Sequence, residues 1–167
     1  MVRVVIGAEP PVSAGFFMLT QINVNISVAT DADLSEIRSC ITEFRLDDEG
    51  IQTEQFLVAK YKGELVGFGR IREHENCSEL CSLGVIEPER NKGVGTLLTQ
   101  HLLKKAKQEL YLVCIIPGFF LPHGFQITKN YPEPLAKKLY RCETVLSVPE
   151  EYVVMKLIGD PERLPLA

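Results

Sequence analysis

A glycine-rich turn between a strand-like segment and a helix-like segment restricts the fold of this chain more than any other feature. Residues 79–86 are apolar and strand-like, and residues 94–108 repeat apolar side chains at helical spacing. Residues 90–95 between them read Arg-Asn-Lys-Gly-Val-Gly. The glycines lack Cβ atoms, so a ligand can approach the backbone closely, and the first N–H groups of a helix have no partners within it. Their partial positive charge suits a phosphate, and Arg90 and Lys92 add full charges.

Two other phosphate-binding motifs share this logic but do not fit the turn. A Walker A loop needs Lys-Ser/Thr after its second glycine, whereas Val94 and Gly95 follow Gly93. A dinucleotide-binding fingerprint needs a third small residue at the position of Leu98. Both motifs are therefore excluded. The alternative that stays open is a glycine-rich helix start that holds no ligand.

The rest of the chain alternates between strand and helix patterns. The predicted strands are residues 22–29, 56–61, 64–72, 79–86, 110–116 and 151–158, and the predicted helices are residues 32–45, 94–108 and 134–141. Lys62-Gly63 favours a hairpin turn between the second and third strands. Strand-helix-strand units at both ends, with a meander between them, predict an α/β fold with a mixed sheet.

Size and charge limit the classes of function. The chain has 167 residues, which suits one domain with one core. Its net charge of −4 argues against general nucleic-acid binding, which needs a basic surface. No apolar run reaches the ~18 residues that cross a bilayer, so no membrane partner is expected. Its five cysteines, an odd number, predict reduced thiols in a cytoplasmic protein.

The chain ends are expected to lie outside the folded core. Residues 1–20 contain two adjacent prolines and lack a clean signal-peptide pattern, so they are interpreted as an extension. Residues 21–160 form the predicted single domain, and residues 161–167 form a tail.

The motif and the order of elements resemble the GNAT superfamily of acetyltransferases. The pattern of this family, Arg/Gln-x-x-Gly-x-Gly/Ala between its fourth strand and a long helix, is matched by Arg90, Gly93 and Gly95. Gly124-Phe125 also follows the next strand as it does in the family, and the resemblance covers roughly residues 22–158. It implies a mixed, mostly antiparallel, twisted sheet flanked by helices, with splayed central strands.

The resemblance also implies acetyl-CoA as co-substrate and direct transfer of the acetyl group. The pantetheine arm would lie in a gap between residues 80–86 and 110–116, and a backbone N–H near Leu83 would stabilise the oxyanion. No metal is expected. The residues expected to contact the cofactor are Leu83, Gly84, Val85, Arg90, Asn91, Lys92, Gly93, Val94, Gly95, Thr96 and Phe120.

Glu79 is the predicted catalytic base. An amine must lose a proton before it attacks, and exposing the free base at pH 7 costs about 4.6 kcal/mol for a lysine but only about 1 kcal/mol for an α-amino group. Several lysine-modifying members of the family carry a glutamate at this place on the strand. Strand alternation predicts Glu79, Cys81 and Leu83 on one face. A solvated carboxylate at the strand end is the alternative.

The motif lacks the residue that acts in many members of the family as the acid that protonates the leaving thiolate. Many members of the family place a tyrosine where this chain has Phe120, which cannot donate a proton. The thiolate then leaves unassisted, or water, Tyr111 or Tyr140 serves as the acid. Tyr140 is the side chain predicted for this role, with packing as the alternative.

The Phe-Phe-x-x-x-Gly-Phe segment is similar to the acetyltransferase domain of N-acetylglutamate synthases. This similarity implies a small primary amine or an amino acid as the acceptor, with Arg70, Arg72 and Arg141 as candidates to bind its carboxylate. Two alternatives remain open: an acyl-CoA-binding sensor with little turnover, and an enzyme that modifies protein lysines or N-termini. The family also suggests a homodimer formed through final strands.

Three weaker features complete the predictions. His74, Cys77 and Cys81 lack the spacing of a zinc site. The acidic residues from Asp47 onward either attract a cationic amine or form a solvated loop. Cys114 is interpreted as a packed thiol, and an acetyl-cysteine intermediate is the alternative.

Overall fold

The computed structural model describes residues 23–146 and 148–159, which fold around one seven-stranded sheet. The strands are β1 Asn25–Val28, β2 Phe56–Tyr61, β3 Glu64–Glu73, β4 Ser78–Val85, β5 Leu110–Cys114, β6 Phe125–Ile127 and β7 Val153–Leu157. The helices are α1 Asp31–Glu43, α2 Val94–Leu103, α3 Pro117–Phe120 and α4 Glu133–Val145. The predicted extension, residues 1–20, and the predicted tail, residues 161–167, lie outside the described residues.

The sheet confirms the predicted mixed, mostly antiparallel architecture. Its strand order is β1-β2-β3-β4-β5-β7-β6, and only the β4–β5 pair is parallel. Leu57 and Ala59 pack in the core under α2, whereas Phe56 and Val58 pack under α1 on the other face. This is the side-chain alternation expected of a strand. α4 lies on the face away from α2, in a cluster with β5 and β7.

The central strands β4 and β5 separate, and the gap between them starts two residues further along β5 than predicted. β4 and β5 pair only at Ser78↔Leu110 and Glu79↔Tyr111. Residues 110–111 are therefore part of the closed end of the gap, and the open part runs between residues 80–85 and 112–116. A parallel pair that stops after two residues leaves backbone edges that can bond an extended ligand.

A β-bulge interrupts β4 at Ser82–Leu83, because both residues stand opposite Gly69 of β3. Ser82 has a φ of 50°, in the left-handed region. Gly69 suits this crowded position, since a Cβ there would lie 2.6 Å from Leu102 and 2.9 Å from Leu83. Bulges often re-aim side chains next to active sites.

The bulge overturns the predicted grouping of side chains on β4. Leu83 packs with Leu80 in the core under α2, whereas Cys81 lies beside Glu79 on the opposite face. One extra residue reverses the alternation of every side chain beyond it. Glu79, Cys81 and Leu83 therefore do not share a face.

Two helix boundaries differ from the prediction, and two short elements were missed. α2 ends at Leu103 rather than near residue 108, because the N–H groups of Lys107 and Gln108 donate to Ser78 Oγ at 3.2 and 3.1 Å and lead the chain into β5. α4 is longer than predicted. α3 and β6 have four and three residues, too few to show a hydrophobic period.

Among the described residues, no helix has both the length and the apolar character that crossing a membrane would require. All five cysteines are free thiols, and each is buried, as expected for reduced side chains that pack as small hydrophobes.

Candidate active site

α2 begins at a left-handed glycine that leaves the helix N-terminus accessible. Gly93 has a φ of 84°, and its carbonyl accepts the first helical hydrogen bond, from Leu97 N–H at 3.0 Å. The N–H groups before Leu97 therefore lie outside the helical ladder. A Cβ at Gly93 would meet nothing within 4 Å, so its surroundings are open. Asn91 is also left-handed, with a φ of 62°, a conformation that asparagine tolerates well.

The turn lies against the end of β4 and against Phe119. A Cβ added to Gly95 would lie 3.4 Å from the Phe119 ring and 3.6 Å from Val85. The glycine thus lets the backbone of α2 approach both. Phe119 is half-buried and was not among the predicted site residues. Its position three residues after the apolar β5 run offered no signal to separate it from Phe120.

The two cations of the turn are both engaged by the protein. Arg90 donates from Nε to the Val85 carbonyl at 3.0 Å, and its guanidinium lies over the Phe44 ring. Lys92 pairs with Glu89 at 3.1 Å and is half-exposed. Arg90 therefore anchors the turn to β4 and α1, while Lys92 remains accessible to a phosphate.

On the other face of β4, Glu79 is buried and doubly paired. Its Oε2 lies 2.9 Å from His74 Nε2, and its Oε1 lies 3.0 Å from Lys138 Nζ. Only 1% of the residue is exposed. Burial would raise the pKa of Glu79, but the hydrogen bond from His74 and the charge of Lys138 together hold it well below its usual range. Glu79 is therefore a carboxylate, and it is not the solvated strand end considered as the alternative.

Lys138 of α4 connects Glu79 to a second buried carboxylate. Its Nζ lies 2.5 Å from Asp47 Oδ2, and Asp47 in turn receives Arg70 Nη2 at 2.9 Å. Burial would lower the pKa of Lys138, but the carboxylates of Glu79 and Asp47 raise it above its ordinary value. We call the five side chains Arg70, Asp47, Lys138, Glu79 and His74 the buried ionic chain. It holds two full positive and two full negative charges, with His74 at its accessible end.

The contact between Lys138 and Glu79 is electrostatic rather than directional. Lys138 Nζ and Glu79 Oε1 are fully buried, yet neither makes a well-aligned hydrogen bond to a described residue. Both atoms are nevertheless satisfied electrostatically, because Lys138 Nζ lies within 3.0 Å of both Glu79 Oε1 and Asp47 Oδ2. Removing one partner of such a buried pair leaves an uncompensated charge in the core.

A cleft of about 340 Å³ opens beside this chain. It is lined by Glu49, Arg72, His74, Glu79, Glu133, Pro134, Lys137, Lys138 and Arg141. Arg72 stands opposite Glu79 in the β3–β4 ladder, which brings both into the cleft wall. The mixture of charges suits a small polar molecule that carries both an amine and an acidic group.

Of the three predicted carboxylate-binding arginines, two line the cleft and one does not. Arg70 is fully buried, and its donors are used by Ser82 and by residues of the loop that follows α1. Arg72 and Arg141 both pair with Glu49, at 3.5 and 2.9 Å. Arg70 therefore supports the site from behind and cannot reach a ligand.

The acidic stretch after α1 is divided between a buried residue, Asp47, and two exposed residues, Asp48 and Glu49, that are paired with a cation. Asp47 is buried in the ionic chain, and Asp48 and Glu49 pair with Arg141 at 3.1 and 2.9 Å. These contacts cross from α1 to α4 and close one side of the cleft. The negative charge is thus already balanced by cations from distant segments.

Comparison with known proteins decides the family. The model of the Acetyltransferase (GNAT) family matches residues 26–118, more than half of the chain. The chain belongs to this family. An uncharacterized N-acetyltransferase of Chlorobaculum tepidum, CT2212, is 31% identical over 109 residues, which cover 61% of this chain and 70% of that protein. The predicted class of enzyme, an acetyl-CoA-dependent N-acetyltransferase, is confirmed.

Two solved structures show the same GNAT fold. N-acetylglutamate synthase of Neisseria gonorrhoeae, complexed with coenzyme A and N-acetyl-glutamate, superposes with a TM-score of 0.66 at 21% identity. The match covers 81% of this chain but only 35% of the synthase, so this chain spans about a third of its length. Rv2747 of Mycobacterium tuberculosis, complexed with CoA and NLQ, gives a TM-score of 0.67 at 18% identity over 81% of this chain and 99% of Rv2747.

Two residues predicted to contact the cofactor in this GNAT enzyme have structural roles. Phe120 is fully buried and packs edge-on against Phe119 and Phe125, so it offers no surface to a ligand. A Cβ at Gly84 would lie 2.8 Å from Phe68, so this glycine makes room for the core. The hydrophobic packing of both positions is not visible in a linear motif.

The tyrosines considered as acids lie away from the cleft. Tyr140 is 69% exposed on α4 and does not line the cleft that contains Glu79. Tyr111 donates to Glu109 at 3.1 Å and also lies outside the lining. The role of Tyr140 as the proton donor therefore stays a prediction that no contact in the structure supports.

The thiols near the gap are poor nucleophiles. Burial raises the pKa of Cys114 to about 12, and its Sγ lies 3.7 Å from Met155 Sδ. Burial raises the pKa of Cys77 to about 11. A thiolate is the reactive form of cysteine, so neither side chain is suited to carry an acetyl group. Three potential metal ligands, Asp47, Glu79 and Cys81, lie within 4.8 Å of one another, but the two carboxylates are held by Lys138 and Arg70.

Sequence reasoning identified neither Lys138 nor His74 as a residue of the site. Lys138 sits among other cations on α4 and resembles a surface lysine, and only its position between Leu135 and Cys142 hints at burial. His74 lies in the turn between β3 and β4, where its backbone N–H donates to Cys77 C=O at 2.8 Å.

Proposed function

We propose that this GNAT enzyme transfers an acetyl group from acetyl-CoA directly to the primary amine of a small molecule or amino acid bound in the cleft beside Glu79. The observation that carries this proposal is the cleft itself, which places a buried carboxylate, His74 and several cations next to the closed end of the β4–β5 gap. A polar pocket of this size fits an amino acid better than a folded polypeptide.

The cofactor would bind along the gap and across the start of α2. The N–H groups of residues 91–96 would hold the pyrophosphate, with Lys92 beside it. The backbone of residues 83–85 would bond the pantetheine arm as an added strand. The bulge at Ser82–Leu83 supplies an irregular backbone, and we assign the oxyanion-stabilising N–H to Leu83.

The acceptor would lie with its amine toward Glu79 and its acidic group toward Arg72 and Lys137. Lys137 is exposed on the cleft rim and pairs with Glu133 at 2.8 Å. Glu79 and Leu83 lie four residues apart on β4, on either side of the bulge, and the acceptor together with ordered water would bridge this span.

Direct transfer is favoured over an acetyl-enzyme intermediate by the state of the thiols. The raised pKa of Cys114 keeps it protonated at neutral pH. Attack by the amine on the thioester then gives the amide and CoA in one ternary complex, with the oxyanion held by backbone.

The test is a thiol-release assay with acetyl-CoA and a panel of amines that includes amino acids, polyamines and peptides with free N-termini. We expect turnover with at least one small amine and little with peptides. Turnover confined to peptides would replace the small acceptor by a protein. CoA binding without turnover on any amine would favour the sensor function suggested by the missing tyrosine.

A further inference from the structure

The carboxylate of Glu79 already has a fixed electrostatic task. Its two oxygens face His74 and Lys138, and its charge balances that of a lysine only 4% exposed. Protonating Glu79 would leave Lys138 and Arg70 with Asp47 as the only buried counter-charge. A base works best when its pKa is near the working pH, and the pKa of Glu79 is held far below that range.

His74 has the position that Glu79 lacks. Its imidazole is 16% exposed and lines the cleft, while one ring nitrogen, Nε2, is held 2.9 Å from the buried carboxylate. No described residue bonds the other nitrogen, Nδ1. A neutral imidazole that donates from Nε2 must present Nδ1 as an acceptor. The adjacent carboxylate then stabilises the imidazolium that forms, as in catalytic triads.

We propose that His74, and not Glu79, accepts the proton from the acceptor amine, directly or through water, and that Glu79 is the residue that positions it. This inference rests on the proposed function. His74 takes a proton from the ammonium group to give the free amine. The amine nitrogen bonds to the acetyl carbon, the carbon–sulfur bond breaks, and the second proton of the nitrogen passes to the leaving thiolate. His74 then returns its proton to solvent.

Charged groups from β3, β4, α4 and the loop after α1 line the cleft around His74. β4 contributes Glu79, β3 contributes Arg72, and the loop after α1 contributes Glu49. α4 contributes Glu133, Lys137, Lys138 and Arg141. Of these groups, Glu79 contacts the imidazole directly, with its Oε2 2.9 Å from His74 Nε2.

The experiment uses His74→Ala, His74→Gln and, as a matched control, His101→Gln on the exposed side of α2. With the best amine of the panel, we expect the His74 variants to lose about 100-fold in kcat, within the range for a general base, with little change in the KM for acetyl-CoA. Added imidazole should restore part of the activity of His74→Ala. Acceptors of low amine pKa should lose least, because they need no base. The control should match the parent.

Two outcomes separate this inference from the proposed function. If the parent enzyme turns over an amine but the His74 variants keep its rate and pH profile, His74 is a structural partner of Glu79 and the inference fails alone. If the parent acetylates no amine, the proposed function fails as well. Independently of turnover, ¹⁵N NMR should show a neutral imidazole protonated at Nε2 near pH 8. An imidazolium with both nitrogens protonated there would overturn the assignment.

Discussion

The two faces of β4 bind charge in opposite ways. At the start of α2, the protein offers backbone N–H groups that are close in sequence, from residue 91 to residue 96, with Asn91, Lys92 and Gly93 exposed and Val94 and Gly95 buried. On the other face, charge is held by buried side chains from four separate segments, with Asp47, Arg70, Glu79 and Lys138 each paired. The first region is the proposed cofactor site, and it is built from main-chain groups, so that changes there are expected to disturb the core little. The second region is part of the core, so changes there alter folding and chemistry together.

The largest expected effect is on the stability contributed by the buried ionic chain. Lys138→Met removes a cation and leaves two buried carboxylates with Arg70 alone, so we expect a loss of about 3–5 kcal/mol in the free energy of unfolding. The double variant Lys138→Met/Glu79→Gln keeps the remaining Arg70–Asp47 pair balanced and should lose less than Lys138→Met alone. Urea unfolding followed by circular dichroism measures both.

The neighbouring lysine provides the control for this measurement. Lys137 is 77% exposed and pairs on the surface with Glu133. Lys137→Met should leave the urea midpoint unchanged, since exposed pairs contribute little. Equal losses of stability for Lys138→Met and Lys137→Met would contradict the special role of the buried lysine. A loss in the double variant equal to the sum of the losses in Lys138→Met and Glu79→Gln would show that the buried ionic chain is not a coupled unit.

The second effect tests the turn at the start of α2. Gly93→Glu places a carboxylate and a side chain where the diphosphate would bind, so we expect CoA affinity to fall at least 100-fold, or about 2.7 kcal/mol, by isothermal titration. The fold should remain, at some cost in stability from the left-handed backbone at Gly93, because a Cβ there meets no atom within 4 Å.

Gly63→Glu is the control that distinguishes exclusion of the ligand from strain in the backbone. It has a φ of 89°, close to the 84° of Gly93, and also has open space around it in the β2–β3 hairpin. Gly63→Glu should therefore cost similar stability but leave CoA affinity intact. A CoA affinity of Gly93→Glu that matched the parent would remove the cofactor from this turn.

These two regions also differ in how far the sequence predicts them. Six of the seven strands and the start of α2 follow from local periodicity and from Gly93 and Gly95, and the sequence predicts them within a few residues, whereas it misses β6 and places the end of α2 too late. The ionic chain joins residues as distant as Asp47 and Lys138, and no local pattern links them. The bulge at Ser82–Leu83 was not predicted either, because it accompanies the close packing of Leu83 and Leu102 around Gly69, three residues that are distant in sequence.

A smaller effect concerns acid stability. The folded-state pKa of Glu79 lies below its ordinary value of 4.5, and that of Asp47 is lowered in the same direction. The unfolded chain therefore binds more protons in this range, and the stabilisation is present above about pH 4.5 and lost as pH falls. For Glu79, this loss should be on the order of 2 kcal/mol by about pH 3.

The comparison that isolates this effect is one of slopes. Glu79→Gln cannot titrate, so its stability should fall less steeply than that of the parent between about pH 5 and about pH 3. Part of the slope should persist, since Asp47 remains. Parallel slopes for the two proteins would mean that Glu79 is not held as a carboxylate in the folded state.

The smallest expected effect is at Tyr140, the tyrosine predicted from the family pattern to act as the acid. Its side chain is 69% exposed on α4 and lies outside the cleft lining, so the structure gives it no route to the thiolate. Tyr140→Phe removes only the hydroxyl, and kcat/KM should stay within about twofold of the parent, a change under about 0.5 kcal/mol in transition-state stabilisation. A tenfold fall in kcat with unchanged CoA affinity would restore Tyr140 as the proton donor. It would also show that the accessible surface of α4 takes part in catalysis. The chemistry would then not be confined to the cleft beside Glu79 and to the start of α2.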